Sequence, residues 1–416
     1  MADSATVKNN QFIFTDEKRF SSGMYHVVNQ NKNRLFDILI EDEYDNFDII
    51  VDYKNLLSSL SVKKSKINSD YFDYLRYISL KQNEINPYIN QLRQTEGNAK
   101  EQIKKEIELI NSQVYTYIEN LIIQNQNNIL GLILKANLPV KYPKTYDSTK
   151  SEEEAYSNIL DIFFQNFMVD DVRLLRTPIY QEKINEYLDK LTVQDTKHII
   201  ISVDKLLDRA INSEEILKYL LWHVTAKYEE LLASYVSYET VFVHIIDKYY
   251  VTGIDTWTSK SIVDALINRA NEMRATLIGE KVPDIKLLDK NKKPSSLYSI
   301  DAPFTLIYFW TDDCSNCKNV TEELLKVYQD YNDRYGLEIF GVYAGTTFDK
   351  MLEYIKSNNI TWTNTYLHSN QEFDYIYLFD IHSTPYLILL DTEKKVITKK
   401  FSPLDLESVI KWNTTN

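Results

Sequence analysis

The sequence predicts a chain of several domains: a small N-terminal β segment, an all-α helical middle and a C-terminal α/β domain. Three observations carry that expectation. At 416 residues the chain is longer than the roughly 100–200 residues usual for one core. Its apolar pattern changes period twice, from alternation to helical spacing near Tyr71, and then to strands alternating with helices beyond Leu277. Eight glycines against 31 tyrosines argue for much helix and few tight turns.

Residues 1–55 form the β segment. In "RLFDILIEDEYDNFDIIVDY", Leu35, Ile38 and Ile40 precede Phe47, Ile49 and Val51, which predicts a small antiparallel hairpin turning near Asp42 to Asn46. Residues 56–140 read as a helical hairpin. Phe72, Leu75, Ile78, Ile85, Ile89 and Leu92 make one stripe, and Ile103, Ile107, Ile110, Val114, Tyr117 and Leu121 make another, with Gly97-Asn98 between them. Such stripes belong to two helices that bury each other or to a surface for a partner, and core faces are the commoner use.

Residues 141–276 begin with the connection "NLPVKYPKTYDSTKSEEE", whose prolines and polar run break the pattern. Amphipathic segments follow at Glu154 to Asn166, Pro178 to Leu191, Thr196 to Asn212 and Ser213 to Glu230. A tyrosine- and valine-rich helix then runs to Tyr250, and a last helix is capped at Thr258 or Ser259. His198, His223 and His244 stand singly in this zone. A metal site needs several converging ligands, so no metal is expected.

Residues 277–416 form the α/β domain. Pro283 and a lysine-rich turn end the helical period. "PFTLIYFW" reads as a buried strand, "CKNVTEELLKVYQDYNDRYG" as a helix closed by Gly336, and "LEIFGVYA" as a strand. "TFDKMLEYIKSNN" reads as a helix, "TPYLILLD" and "KVITKKF" as strands, and "DLESVIKW" as the closing helix.

The formal charge of −13 excludes general phosphate-backbone binding, which depends on Lys and Arg neutralising phosphates, so no nucleic-acid partner is expected. Apolar runs such as "TLIYFW" and "ILGLIL" are far shorter than the ~20 residues that cross a bilayer. The opening "MADSATVKNNQF" lacks the charged-then-apolar pattern of a signal peptide, which leaves a cytoplasmic chain or one without its export segment.

Both cysteines of the chain lie in "FWTDDCSNCK", as Cys314-x-x-Cys317. Cys314 falls where a strand passes into a helix, and the unpaired amides and partial positive charge of a helix N-terminus stabilise a thiolate. Cys317, one turn later, can reach the same sulfur and resolve a mixed disulfide from within the molecule. Three other uses compete. A structural zinc site would need a second ligand pair, and only His368 and His382 follow. A structural disulfide here would close a very short loop and constrain little. Two core cysteines could also share this spacing by chance.

With these residues in view, the C-terminal region resembles the thioredoxin superfamily. "YFWTDDCSNCK" looks like the active-site strand, tryptophan and helix of that family, and "HSTPYLIL" like the loop whose cis-proline faces the cysteines. The extra strand and helix from Leu337 to Asn359 are similar to the envelope-bound TlpA/ResA-like branch. Upstream, "DVRLLRTPIYQEKINEYLDKL", "VFVHIIDKYYVTGIDTW" and "LIGEKVPDIKL" resemble the helical region of unknown function that precedes such domains in Gram-negative envelope proteins. "NRLFDILIEDEYDNFDIIVDY" looks like the end of the small β domain found before that region.

The resemblance implies a thioredoxin fold over 277–416, with Cys314 as attacking thiol, Cys317 as resolving thiol and Pro385 as the cis-proline. It also implies that Thr384, Trp310, Ser315 and Asn316 lie on the substrate side. No cofactor is implied. The partners implied are protein thiols or disulfides and a membrane or periplasmic electron donor. The implied location is the periplasm or cell envelope, with a lipid anchor in a longer precursor.

Two departures from the family bear on mechanism. The buried aspartate usual two residues before the tryptophan is Tyr308 here, and the glutamate usual three residues after the second cysteine is Val320. Proton transfer at the resolving thiol then falls to water or to Glu322, Glu323, Asp312 or Asp313, acids that equally suit solvated or capping roles. Negative charge at Asp312 and Asp313 opposes a thiolate at Cys314, which predicts a reductant or a weak exchanger rather than a disulfide donor. Two functions therefore stand: a thiol-disulfide oxidoreductase of protein-disulfide reductase type, or a non-catalytic binding or scaffold protein with a residual redox domain.

Overall fold

The computed structural model describes residues 4–14, 20–41, 46–142, 151–232, 236–367 and 378–415. The chain packs as two compact units, 1–194 with 201–220, and 195–200 with 221–416. The division therefore falls within two helices of the middle region instead of at 276/277, where the composition changes.

In the first unit, β1 (Gly23–Val28) and β2 (Arg34–Ile40) pair antiparallel, and β3 (Asp48–Ile50) pairs with β4 (Ser61–Lys63) after the short α1 (Leu56–Ser59). The β segment is present, but the hairpin expected between Leu35–Ile40 and Phe47–Val51 does not form. The turn expected near Asp42 to Asn46 falls largely on 42–45, which lie outside the described residues. The turn that does form is at Asn29, whose side-chain oxygen accepts the amides of Asn31 and Asn33 at 3.0 Å each. An Asx turn of this kind lets a polar Asn-rich stretch reverse the chain without glycine. Lys32 takes the left-handed φ of 63° that completes it.

Two long helices follow, α2 (Lys66–Leu92) and α3 (Asn98–Gln124), with Gly97 at φ 68° between them. Both predicted stripes turn inward. Phe72, Ile85, Ile110 and Leu121 are buried, and Tyr77 stacks on Tyr117 with ring centroids 4.0 Å apart. The stripes are thus spent on each other, which is what hides apolar area from water in an antiparallel pair. The remaining helices are α4 (Ile129–Asn137), α5 (Glu152–Phe163), α6 (Val172–Leu175), α7 (Pro178–Asn185), α8 (Thr196–Ala210) and α9 (Glu214–Leu231). The start of α5 is fixed by a capping box between Ser151 and Glu154. Among the described residues, no helix is long and apolar enough to cross a membrane.

The second unit holds α10 (Tyr238–Ile245) and α11 (Lys260–Arg274) together with a seven-stranded sheet. Ser259 stands at the N-cap of α11 as expected, yet its hydroxyl makes no capping bond, and Asp255 instead accepts the amides of Trp257 and Thr258. The strands are β5 (Lys286–Asp289), β6 (Pro294–Ser296), β7 (Phe304–Trp310), β8 (Leu337–Tyr343), β9 (Thr363–Tyr366), β10 (Tyr386–Leu390) and β11 (Val396–Lys399). Their order is β11-β10-β7-β8-β9-β5-β6. β7, β8 and β9 run parallel, while β10 and β5 are antiparallel to their neighbours. The helices are α12 (Ser315–Tyr335), α13 (Phe348–Ser357) and α14 (Leu406–Thr415).

Every residue of β7 is buried, which explains its unbroken apolar run: a strand covered on both faces has no polar side. Leu306, Tyr308 and Trp310 face a core shared with Leu324, Met351, Ile355, Leu406 and Ile410 of the three helices. Ile307 and Phe309 face a second core with Val282, Ile285, Phe340, Val342 and Ile388. Gly336 ends α12 at φ 66°, the left-handed position at which glycine carries no side-chain penalty. The strands β5, β6 and β9 were not read from sequence. They are three or four residues long, and strands so short leave little periodicity to detect.

Candidate active site

Cys314 is the N-cap of α12. Its sulfur accepts the amide hydrogen of Cys317 at 3.1 Å, satisfying one of the donors a helix start leaves open. The Cys314 thiol in turn donates to the carbonyl oxygen of Thr384 at 3.3 Å. The Thr384-Pro385 peptide is cis, and this hydrogen bond shows the loop presenting the Thr384 carbonyl to Cys314. Both thiols are free; Cys314 is half-buried and Cys317 fully buried.

Burial, and then the hydrogen bond with Cys314, pushes the Cys317 thiol up to about 11, against smaller opposing effects of the Thr311 amide and the Thr384 side chain. Cys317 is therefore held as a neutral thiol at ordinary pH, whereas Cys314 has a helix terminus beneath it and an open side. A half-buried thiol at the helix start with a fully buried thiol behind it is the asymmetry that ordered disulfide exchange uses.

Ser315 and Asn316 are exposed on the first turn of α12, and Thr384 and Pro385 are half-buried opposite them. Cys314, Cys317, Ser315, Asn316, Thr384 and Pro385 are thus brought together. Trp310, expected on the substrate side, is buried and does not face it. Its indole donates to Asn364 Oδ1 at 3.1 Å and packs on Tyr343 and Tyr354 with centroids 4.7 and 4.8 Å away. It is a wall behind the cysteines. The close approach of Asn364 is possible because Gly341, on the neighbouring strand, has no Cβ to collide with Oδ1.

The two departures from the family take definite form. The Tyr308 hydroxyl is buried, donates to the Cys317 carbonyl oxygen at 2.9 Å and shares a hydrogen bond with Thr321 Oγ1 at 2.9 Å. Burial pushes its phenol far above the ordinary range, so it acts as a neutral anchor for the helix turn rather than as a base. Val320 packs half-buried against the helical core. Of the four nearby acids, Asp312 accepts from the Tyr343 hydroxyl at 2.5 Å and lies 3.6 Å from Lys350 Nζ, while Asp313 and Glu322 are exposed. Burial opposes ionisation of Asp312, but Tyr343 and Lys350 outweigh it and hold the carboxyl below its usual range. Among the described residues, no carboxylate is hydrogen-bonded to either thiol. The expectation that Asp312 acts freely on Cys314 is thereby weakened, because a neighbouring ammonium offsets its field.

Tyr308 was visible in sequence as a departure. Thr321, Tyr343, Tyr354 and Asn364 give no signal, being ordinary residues of two helices and two strands until the fold brings them around Tyr308 and Trp310. A separate group of possible metal ligands, Glu272, Asp380 and His382, converges elsewhere in the unit. Its centre is taken by Arg269, whose Nη1 is 2.9 Å from Glu272, 3.3 Å from His382 and hydrogen-bonded to Asp380. A guanidinium already supplies the positive charge there.

Residues 303–396, which include the cysteine pair, match the family model for thioredoxin-like domains, so this region is a thioredoxin-like domain. Solved structures similar to the chain include a thioredoxin-like protein from Bacteroides caccae, 17% identical with TM-score 0.48 over 66% of this chain and 99% of that one. The thioredoxin domain of a thiol-disulfide oxidoreductase from Bacteroides vulgatus is 26% identical with TM-score 0.31 over 33% and 96%. A thiol:disulfide interchange protein from a Bacteroides species is 25% identical with TM-score 0.32 over 34% and 93%. No curated protein matches the chain.

Proposed function

We propose that this chain is a thiol-disulfide oxidoreductase that reduces or exchanges disulfides of other proteins in the cell envelope. The observation that carries the reading is the placement of the Cys314 sulfur, which accepts an amide hydrogen at the start of α12 and faces the Thr384 carbonyl beside a cis-proline. The thiolate of Cys314 attacks one sulfur of a substrate disulfide, forming the mixed disulfide and releasing the first substrate thiolate, which takes up a proton from water. Cys317 then loses its proton and attacks the Cys314 sulfur. The Cys314–Cys317 disulfide forms, the second substrate thiol leaves, and two electrons have passed from the pair to the substrate.

The envelope location, protein clients and a membrane or periplasmic electron donor belong to the same reading, supported by the TlpA/ResA-like arrangement of the 337–359 segment. The test is reduction of insulin disulfides. Cys314→Ser is expected to abolish it, and Cys317→Ser to accumulate mixed disulfides at Cys314. Full activity of Cys314→Ser would overturn the reading and leave a binding or scaffold role.

A further inference from the structure

The loop that presents Thr384 and Pro385 is anchored by residues that lie outside the thioredoxin-like domain in sequence. Asp380 begins it. The flanking Phe379 and Ile381 are buried in the second core, and Asp380 itself adopts a left-handed φ of 52°, turning its carboxylate the other way. That carboxylate is fully buried and would be costly to leave uncompensated. Its partners are Arg269 of α11, His382 Nε2 at 3.0 Å and Lys400 Nζ at 3.5 Å.

Through Lys400 the same charged group extends to α10 and borders Tyr386, just past the loop. Lys400, whose Nζ lies 5.9 Å over the Tyr386 ring, reaches Glu239 of α10 at 3.0 Å. Lys399, buried in β11, meets the second Glu239 oxygen at 2.6 Å and Thr276 Oγ1 at 2.6 Å. The six residues from Asp380 to Pro385 therefore start from one charged network, in which Asp380 meets Arg269 of α11 and Lys400, and Lys400 meets Glu239 of α10. Buried ion pairs of this kind fix geometry more than they add stability, because each partner depends on the other staying in place.

We propose that Arg269 is a positioning residue for disulfide exchange: by holding the buried Asp380 carboxylate, α11 fixes the loop whose Thr384-Pro385 edge receives the substrate chain. The role rests on the thiol-disulfide reading above and gives the helical segment a task in it. Arg269 does not touch the reacting sulfurs. It acts through Asp380, and its loss should loosen the substrate edge while leaving the chemistry of Cys314 itself intact.

The test compares wild type, Arg269→Met and Arg269→Lys as full-length protein. A glutathionylated peptide reports productive docking, iodoacetamide reports intrinsic Cys314 reactivity, and amide hydrogen exchange of residues 381–387 reports the loop. Arg269→Met is expected to lower kcat/KM for the peptide about tenfold, mainly through KM, since small misplacements of a docking edge cost that much or more. Iodoacetamide rates should stay within about twofold, loop exchange should accelerate, and Arg269→Lys should recover part of both. Unchanged peptide kinetics and unchanged loop exchange in Arg269→Met would overturn the positioning role with the exchange activity still standing. Wild type that never reacts with the peptide would overturn the activity instead, and the hydrogen-exchange comparison would still decide whether Arg269 holds the loop. If Arg269→Met does not fold, the same readouts on Arg269→Lys and Asp380→Asn decide the matter.

Discussion

The Cys314 thiol donates to the Thr384 carbonyl oxygen at 3.3 Å, so the half-buried sulfur is already oriented toward the edge that would hold a substrate. Cys317 sits behind it with no exposed surface. Limited alkylation at neutral pH should therefore modify Cys314 first, with Cys317 reacting only after unfolding. Peptide mapping by mass spectrometry checks this, and equal labelling of both would contradict the burial.

The resolving step should quicken with pH. With the Cys317 thiol held up to about 11, its thiolate fraction grows about tenfold per pH unit below that value. Single-turnover release of the second substrate thiol should follow the same slope between about pH 7 and 10, provided no carboxylate assists. Linkage gives a companion effect. A raised folded-state value stabilises the protein below the ordinary thiol value of 9.0, and that contribution is lost as pH rises toward about 11. Denaturant melts of wild type and Cys317→Ala across this window isolate it.

Gly341→Ala tests the wall behind the cysteines. The added methyl would overlap Asn364 Oδ1, the acceptor of the Trp310 indole, so side chain or strand must shift. The expected loss is ~1–3 kcal/mol, as for other overpacked cores, with a change in tryptophan emission. A variant as stable as wild type would mean that Asn364 can leave at no cost.

Tyr308→Phe removes the hydroxyl that joins the Cys317 carbonyl to Thr321. Loss of about 1–3 kcal/mol is expected, since two buried polar groups lose a partner. Because the phenol is an anchor and not a base, the pH dependence of the resolving step should keep its slope. A flattened profile would assign the hydroxyl to proton transfer.

Glu239→Ala leaves the buried Lys399 ammonium without its ion-pair partner and with Thr276 as its hydrogen-bond partner. Removing one partner of a buried pair costs ~3–5 kcal/mol, so a clear fall in thermal midpoint is expected. Glu239→Gln, which can still accept a hydrogen bond, should lose less.

What was legible in the sequence depended on local signals. The helix pair 66–124 was written in its stripes, β7 in its apolar run, and the end of α12 in Gly336. The dithiol was legible from its Cys-x-x-Cys spacing at a strand-to-helix junction, and the Thr384-Pro385 loop only through the family resemblance, since Thr177-Pro178 merely opens a helix. The β1–β2 pairing was misplaced because alternation marks a strand without naming its partner. Trp310 was assigned to the substrate side because its direction depends on the pleat and on Asn364, 54 positions away. By itself, the sequence determined the division into β segment, helical middle and α/β domain, and the thiol pair at a strand-to-helix junction. Only the tertiary structure decided which thiol is shielded, that Tyr343 and Lys350 hold Asp312, and that Arg269 and Glu239 anchor the cis-proline loop. The physical reason is range: period, capping and spacing act within a few residues, whereas burial and ion pairing join groups that only folding brings within reach.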